Sequence, residues 1–251
     1  MLVTSPDGTK IAYDVHGNGP ALLLLQGFDD VRNIWHSFGY VEKLCTTFQV
    51  ITMDRRGIGE SDMPTNSGAY TVEKMLADVF CVVDACSIDR FAIWGHSFGG
   101  TIALQLAARS NRIIRAVVAG SFFGRVYSEE RVNSIVKELE NVSAAQKIGK
   151  LAELGIEVEE QEYIAQMNIP ALIACWQSLI TWPVVSPKEI CCPLLVYVGS
   201  LDERVVNPLK ERQQEIAEAG IQLKTLDGLN HQQEVSDIQA VFPTSFAFLK
   251  H

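Results

Sequence analysis

The chain alternates short runs of consecutive hydrophobic residues with longer segments in which hydrophobic positions recur every three or four residues. The short runs are typical of strands buried on both faces of a parallel sheet, and the periodic segments are typical of amphipathic helices. The predicted strands cover 10–16, 21–25, 48–53, 91–94, 113–118, 194–198 and 221–226. The predicted helices between and after them cover 70–85, 98–108, 208–219 and 236–250. This alternation predicts an α/β fold, with a mostly parallel, doubly wound sheet.

The alternation stops between residues 124 and 187. Hydrophobic periodicity in this segment predicts helices and no strand. The helices are expected over 128–142, 144–154, 159–167 and 170–182. A segment of roughly 60 residues is too long for an ordinary connection. We therefore predict one α/β domain built from residues 1–123 and 188–251, interrupted by a helical cap over residues 124–187.

Residues 95–99 read Gly-His-Ser-Phe-Gly, where a predicted strand passes into a predicted helix. A turn this sharp strains the backbone of the serine, and the residues two before and two after it must be small. Both are glycine here, Gly95 and Gly99. The turn directs the serine hydroxyl above the carboxyl edge of the sheet, where α/β proteins bind ligands. We predict that Ser97 is a catalytic nucleophile.

A serine hydroxyl needs a base to accept its proton, and histidine has the appropriate pKa. His231 follows the last predicted strand, whereas the ring of His96, inside the serine turn, is expected to point away. The base in turn needs a carboxylate that fixes its tautomer. Asp202 follows the strand at 194–198 and is favoured over its neighbour Glu203.

Composition and charge exclude several other classes of protein. The 251 residues carry a formal net charge of −9, without a basic cluster that would bind nucleic acid or an anionic membrane. No signal peptide and no run of bilayer length is apparent, so a cytoplasmic location is expected. The six cysteines and five histidines show no metal-ligand spacing, so we predict neither a metal nor another cofactor.

The chain resembles the α/β-hydrolase fold superfamily along essentially its whole length, and specifically its small-cap branch of esterases and lactonases. The serine turn, the order Ser97, Asp202, His231 and residues 54–61, Asp-Arg-Arg-Gly-Ile-Gly-Glu-Ser, carry the resemblance. Residues 54–61 resemble the family's D-x-R-G-x-G-x-S loop, whose charges are expected to pair locally. Members commonly carry a lid between the sixth and seventh strands of the family's fold. The predicted cap falls at that place, between the strands predicted over 113–118 and 194–198.

The resemblance implies that the backbone N–H groups of Phe28 and Phe98 form an oxyanion hole. Relatives often have His-Gly before the first of these positions, where this chain has Gln26 and Gly27. Backbone donors survive such a change of side chain, so activity is still expected.

Two further acidic residues, Asp29 and Asp30, follow Phe28 and would repel an oxyanion if they pointed inward. We expect them to point elsewhere. Either Asp30 or Asn33 is expected to cap the helix that follows.

The substrate pocket is expected to be apolar. Besides Gly27 at its mouth, the predicted lining residues are large and hydrophobic: Phe122, Phe123, Trp176, Leu179 and Ile180. The last three lie on a helix that is apolar nearly all round, so they could equally form the core of the cap. Nine glutamates against five basic residues in 124–187 disfavour a multiply anionic substrate.

These features favour a serine hydrolase that cleaves small to medium, neutral, apolar or aromatic esters or lactones. Hydrolysis or lysis of a carbon–carbon bond on the same triad, and a ligand receptor with slow turnover, are the alternatives. Haloalkane and epoxide hydrolase chemistry is disfavoured, because relatives with those activities carry Asp where this chain has Ser97. The expected partner is a small molecule, and the protein is expected to be a monomer or a homodimer.

Overall fold

The computed structural model describes residues 1–125 and 127–250. In this part of the chain eight strands form one sheet, in the order β1-β2-β4-β3-β5-β6-β7-β8. The strands are β1 Leu2–Thr4, β2 Lys10–His16, β3 Ala21–Leu25, β4 Gln49–Met53, β5 Phe91–His96, β6 Ile113–Ala119, β7 Leu194–Gly199 and β8 Gln222–Leu226. β2 is antiparallel to both β1 and β4, and the remaining neighbours are parallel. The predicted fold class is therefore confirmed.

Helices pack on both faces of this sheet. In the described residues the α-helices are α1 Ile34–Ser37, α2 Tyr40–Leu44, α3 Val72–Ala85, α4 Phe98–Arg109, α5 Glu129–Lys147, α6 Val158–Ala165, α7 Ile169–Leu179, α8 Glu203–Glu211, α9 Gln213–Glu218, α10 Gln233–Ser236 and α11 Ile238–Lys250. Because α5, α6 and α7 all lie between β6 and β7, the chain between these two strands is largely helical.

The central strands bury both of their faces, as their continuous hydrophobic runs predict. Successive side chains of a strand point to opposite faces. Leu23 and Ile93, paired in register on β3 and β5, lie in one core with residues of α3 and α4. Leu24 and Trp94 lie in the other, with residues of α2 and α11. The two cores hold the sheet rigid, so that the loops at its carboxyl edge have fixed starting points.

Several element boundaries differ from the prediction. The helix expected over 128–142 continues to Lys147 as α5, which the Ser128 hydroxyl caps. Of the helix expected over 144–154, the start belongs to α5 and Leu151–Leu154 form a separate short 3₁₀ helix. Ala144 and Ala145 favour helix strongly, so nothing interrupts α5 at that point. The helix expected to start at Pro208 begins at Glu203, because Val205, Val206 and Leu209 form its buried face.

The charges of the 54–61 loop do not pair locally, which corrects the expectation from the sequence. The Arg56 guanidinium is fully buried and donates two hydrogen bonds of 2.6 Å to the Asp78 carboxylate on α3. It also donates to Asp7, between β1 and β2, at 2.8 Å, and to the carbonyl oxygen of Ala69. Arg56 therefore joins segments that are far apart in the sequence.

Replacing Arg56 should destabilise the protein strongly. Arg56→Ala leaves the buried Asp78 carboxylate without its cation, and breaking such a pair lowers the free energy of unfolding by about 3–5 kcal/mol. Lys150→Ala is the control, because its ion pair with Glu153 is exposed and should contribute no more than about 1 kcal/mol. Urea denaturation of both variants measures the difference. Equal losses would contradict this account of Arg56.

Candidate active site

Ser97 occupies the turn between β5 and α4 in a strained backbone conformation, with φ 54° and ψ −115°. The glycines on either side are required by close backbone contacts. A Cβ atom on Gly95 would overlap the Gly99 carbonyl group, and one on Gly99 would overlap the carbonyl group of Leu25 on β3. The turn therefore packs directly against the neighbouring strand and raises the Ser97 side chain at the carboxyl edge of the sheet.

The structure brings together the three residues predicted to form the triad. His231 Nε2 lies 2.9 Å from Ser97 Oγ, and His231 Nδ1 lies 2.6 Å from Asp202 Oδ2. Asp202 is 6% exposed just after β7, and His231 lies in the loop after β8. Glu203, the rival acid, is exposed in the first turn of α8. The two ring nitrogens of His231 thus link a hydroxyl to a buried carboxylate, an arrangement in which the carboxylate fixes the tautomer and orientation of the ring.

A second buried carboxylate near His231 was not predicted from the sequence. Glu234 is fully buried on α10, and its Oε1 accepts a hydrogen bond of 2.6 Å from the Gly199 backbone N–H. Its Oε2 lies 3.5 Å from His231 Nδ1. The signal that could have found it is the spacing of three residues from His231, one helical turn, which brings two side chains to the same side.

The ring of His96 was predicted to point away from the site, and this prediction is wrong. The ring packs against that of His231, with the ring centroids 4.9 Å apart. Its Nε2 lies 3.0 Å from the His231 backbone carbonyl oxygen. Since a carbonyl oxygen only accepts, Nε2 carries the proton and donates. Burial lowers the pKa of His96 to about 3, so the ring is neutral. His96 therefore supports the backbone of His231.

The surroundings of His231 favour its protonated form. Burial lowers its pKa, but the interactions with Asp202 and Glu234 outweigh this effect and raise it to about 9. His96, His231 and Glu234 also offer potential metal-ligand atoms within 4.8 Å of one another. However, His231 Nδ1 and His96 Nε2 already bond Asp202 and a carbonyl oxygen. The arrangement is better suited to holding a proton than to holding a metal.

The loop that carries Phe28 is held against the start of α4. The Gln26 side chain donates to the Met53 carbonyl oxygen at 3.0 Å, and the Gln26 carbonyl oxygen accepts from the Gly99 N–H at 3.0 Å. The Arg55 guanidinium donates to the Phe28 carbonyl oxygen and lies over the rings of Phe28 and Phe98. Within residues 1–125 and 127–250, no protein group accepts a hydrogen bond from either the Phe28 or the Phe98 amide.

A cavity of about 400 Å³ opens above Ser97 and His231. Gly27, Phe122 and Trp176 line it as predicted, together with Phe28 and Tyr127. The Trp176 ring lies 4.4 Å from that of Phe28 and 5.2 Å from that of Tyr127, measured between centroids. These aromatic rings form one wall of the cavity.

Three predicted pocket residues lie outside this lining. Phe123 and Leu179 are buried in the main core, 1% and 2% exposed. Ile180 follows the last residue of α7, and its carbonyl oxygen accepts a hydrogen bond from Arg125. Because α7 ends at Leu179, only Trp176 of the three residues predicted on this helix faces the cavity.

The remaining lining is charged, which corrects the expectation of an apolar pocket. Asp29 and Asp30 lie on one loop, Arg131 on α5 and Arg204 on α8. Neither Asp30 nor Asn33 caps α1, since the Asn33 side chain makes no capping bond. Asp30 instead accepts from the Gly27 N–H, and burial raises its pKa. The cavity therefore has two acidic and two basic side chains in its lining.

Comparisons with known proteins agree with this architecture. The sequence model of the α/β-hydrolase fold family matches residues 20–130. The uncharacterised protein Rv2715 of Mycobacterium tuberculosis is 32% identical over 117 residues, which are 47% of this chain and 33% of that protein. Mouse epoxide hydrolase 4 is 29% identical over 104 residues, 41% of this chain and 28% of that protein. The chain thus spans about a third of the length of these curated relatives.

Among solved structures, a carboxylesterase of the thaumarchaeon Nitrososphaera gargenis has a TM-score of 0.83 at 22% sequence identity, covering 100% of this chain and 98% of that one. The chain therefore has the α/β-hydrolase fold, and residues 20–130 match the sequence model of the family with that fold. In the described part of the chain, no helix is long and apolar enough to cross a membrane.

The packing of Glu234 and His231 should require glycine at position 120, which follows β6 with φ +59°. A Cβ atom there would overlap Glu234 Oε2 and lie 2.9 Å from His231 Cε1. Gly149→Ala is a matched control, because Gly149 has φ +68° but open space around it. Both substitutions should lose about 1–2 kcal/mol of stability from backbone strain, and Gly120→Ala a further 1–3 kcal/mol or so from the clash. Equal losses in urea denaturation would show that the space beside Glu234 is not restricted.

Proposed function

We propose that the protein is a serine hydrolase that cleaves carboxylic esters or lactones through an acyl-enzyme. The observation that carries this proposal is the hydrogen-bonded series from Ser97 through His231 to Asp202, beside a cavity of suitable size. The match of residues 20–130 to the α/β-hydrolase fold family supports the same class of reaction.

In the proposed reaction the Ser97 hydroxyl attacks the substrate carbonyl carbon while its proton passes to His231 Nε2, 2.9 Å away. Asp202 accepts from His231 Nδ1 and stabilises the imidazolium that forms. The backbone N–H groups of Phe28 and Phe98 stabilise the negative charge that develops on the carbonyl oxygen.

The intermediate then collapses, the carbon–oxygen bond to the alcohol breaks, and His231 returns the proton to the leaving oxygen. Water attacks the acyl-enzyme by the same route in the second half of the reaction. His231 removes the proton of the water, and the proton finally returns to the Ser97 oxygen as the acid is released.

We further propose that residues 124–187 act as a cap on a core formed by 1–123 and 188–251. The cap supplies Tyr127, Arg131, Ile135 and Trp176 to the cavity, opposite the catalytic groups of the core. A cover of this kind excludes water from the reacting groups and limits the size of the substrate.

The proposed substrates are neutral and of small to medium size. The cavity of about 400 Å³ is near the lower end of the usual range for ligand sites. Its aromatic wall suits an apolar or aromatic group. Because acidic and basic side chains balance in the lining, the cavity offers no net attraction to a multiply anionic molecule.

Ser97 should be the only serine that reacts with a fluorophosphonate. The probe requires a nucleophile that a base deprotonates, and only Ser97 has His231 within hydrogen-bonding distance of its hydroxyl in the described residues. We expect one adduct in the intact-mass spectrum, mapped by peptide analysis to Ser97, and none in Ser97→Ala. An adduct on another serine would refute the assignment, whereas labelling of Ser97 without turnover of any ester would favour a ligand receptor.

Substrate size and charge should control kcat/KM. With p-nitrophenyl esters we expect a maximum at acyl chains of about two to six carbons, because the cavity holds little more. Matched esters with a neutral, carboxylate or ammonium end group test the effect of charge, and the neutral one should be preferred. A maximum at twelve or more carbons, or activity confined to carboxylate-bearing substrates, would contradict the proposed substrate class.

A further inference from the structure

Glu234 has no part in the series Ser97–His231–Asp202, yet its side chain is built into the same site. Its Oε1 accepts from the N–H of Gly199, the last residue of β7, and three residues before Asp202. Its backbone carbonyl oxygen accepts from the Tyr197 hydroxyl at 2.9 Å. Glu234 therefore connects the loop that carries His231 to the strand that leads to Asp202.

The other carboxylate oxygen of Glu234 is directed at the imidazole. Glu234 Oε2 lies 3.5 Å from His231 Nδ1 and makes no hydrogen bond with any described residue. The side chain is fully buried, and an unpaired carboxylate oxygen in such a place is unfavourable unless a positive charge forms beside it. His231 becomes positively charged when it takes the Ser97 proton.

We propose that Glu234 is a positioning residue: a second carboxylate that, together with Asp202, holds the His231 ring and stabilises its imidazolium form during catalysis. The inference rests on the proposed hydrolase function for its catalytic consequence, although the electrostatic contact itself does not.

The backbone around Glu234 leaves space for this arrangement. Gly120 lies against both side chains, and a Cβ atom there would overlap Glu234 Oε2. Because only glycine fits there, the Glu234 carboxylate can lie beside the His231 ring.

Several other ionisable groups also lie near His231. Asp202 follows β7, Asp30 lies in the loop after β3, and both favour a positive charge on His231. His96, on β5, is neutral at physiological pH, and Arg204, on α8, opposes a positive charge in this cluster. Burial raises the pKa of Glu234, whereas its contacts with His231 and the Gly199 N–H lower it. Among these acidic groups, Glu234 is the one besides Asp202 that lies fully buried beside the His231 ring.

The consequence is a shifted pH dependence. His231 acts as a base only when it is neutral. The two carboxylates outweigh the effect of burial and raise its pKa to about 9. The value expected from an ordinary histidine is near neutrality. The kcat/KM of the wild-type protein should therefore rise with pH through a midpoint well above 7, toward 9.

The test is Glu234→Gln, which keeps an oxygen acceptor for the Gly199 N–H and removes the charge. We expect the midpoint of kcat/KM to move by about 1 pH unit or more toward lower pH, because an opposite charge at this distance has been removed. The limiting kcat should fall, with little change in KM. Glu203→Gln is the control, since Glu203 is exposed at the start of α8 and should not move the midpoint. A Glu234→Gln variant with an unchanged midpoint would overturn the proposal.

An NMR titration of the histidine rings in Ser97→Ala separates this proposal from the proposed function, because it needs no turnover. The His231 signals are assigned by their loss in His231→Gln. We expect the His231 pKa to be lower in Ser97→Ala/Glu234→Gln than in Ser97→Ala. A lower His231 pKa in the double variant, together with no esterase activity of the wild-type protein, would refute the hydrolase function but not the contact. An unchanged His231 pKa would refute the contact.

If Glu234→Gln does not fold, the same NMR titration of His231 in Asp202→Asn tests the role of Glu234. The His231 pKa in Asp202→Asn should stay above that of an ordinary histidine, near 6.5, because Glu234 remains. A value at or below the ordinary one would show that Glu234 does not outweigh the effect of burial on His231 and would overturn its role.

Discussion

The contact between the Ser97 turn and the end of β3 is the constraint on which the candidate site depends. Gly99 lies so close to the Leu25 carbonyl group that no side chain is possible there. Its N–H donates to the Gln26 carbonyl oxygen, so the same contact fixes the loop that carries Phe28. The strained serine and both candidate oxyanion donors are therefore positioned by one junction of backbone with backbone. Side-chain changes nearby, such as glutamine at position 26, leave that junction intact.

Buried charge is the second feature that organises the molecule. Arg56 neutralises Asp78 and ties the 54–61 loop to α3, while Arg55 of the same loop lies over the rings of Phe28 and Phe98. Asp202 and Glu234 are buried beside a histidine that can become positively charged. In both places a carboxylate lies in the interior because a cation is present or can form there. The loop that resembles a family signature is thus both a structural element and a support for the loop that carries Phe28.

The sequence is sufficient to predict those features that depend on local pattern. Strands such as β3 and the position of Ser97 follow from continuous hydrophobic runs and from a glycine-flanked serine between strand and helix. Asp202 and His231 could be proposed because each follows a strand at the same sheet edge. In the structure His231 lies within hydrogen-bonding distance of both Ser97 and Asp202. Their catalytic roles remain predictions.

Features that depend on long-range packing could not be read from the sequence. The Glu234 carboxylate accepts from the Gly199 N–H on β7, and the direction of the His96 ring needs the His231 carbonyl oxygen as a partner. The pocket lining was predicted from a helix expected to reach Trp182, but α7 ends at Leu179, and Leu179 itself packs into the core. Asp30 does not cap α1, and both Asp29 and Asp30 line the cavity.

Direct observation of an acyl-enzyme would show that Ser97 is the nucleophile of a hydrolase. The protein is mixed with p-nitrophenyl acetate, quenched in acid during turnover, and examined by intact-mass and peptide mass spectrometry. We expect one acetyl group per chain on the peptide that contains Ser97, and neither adduct nor turnover above the background in Ser97→Ala. Turnover without an acetylated Ser97, or activity that survives in Ser97→Ala, would contradict the proposed role of Ser97.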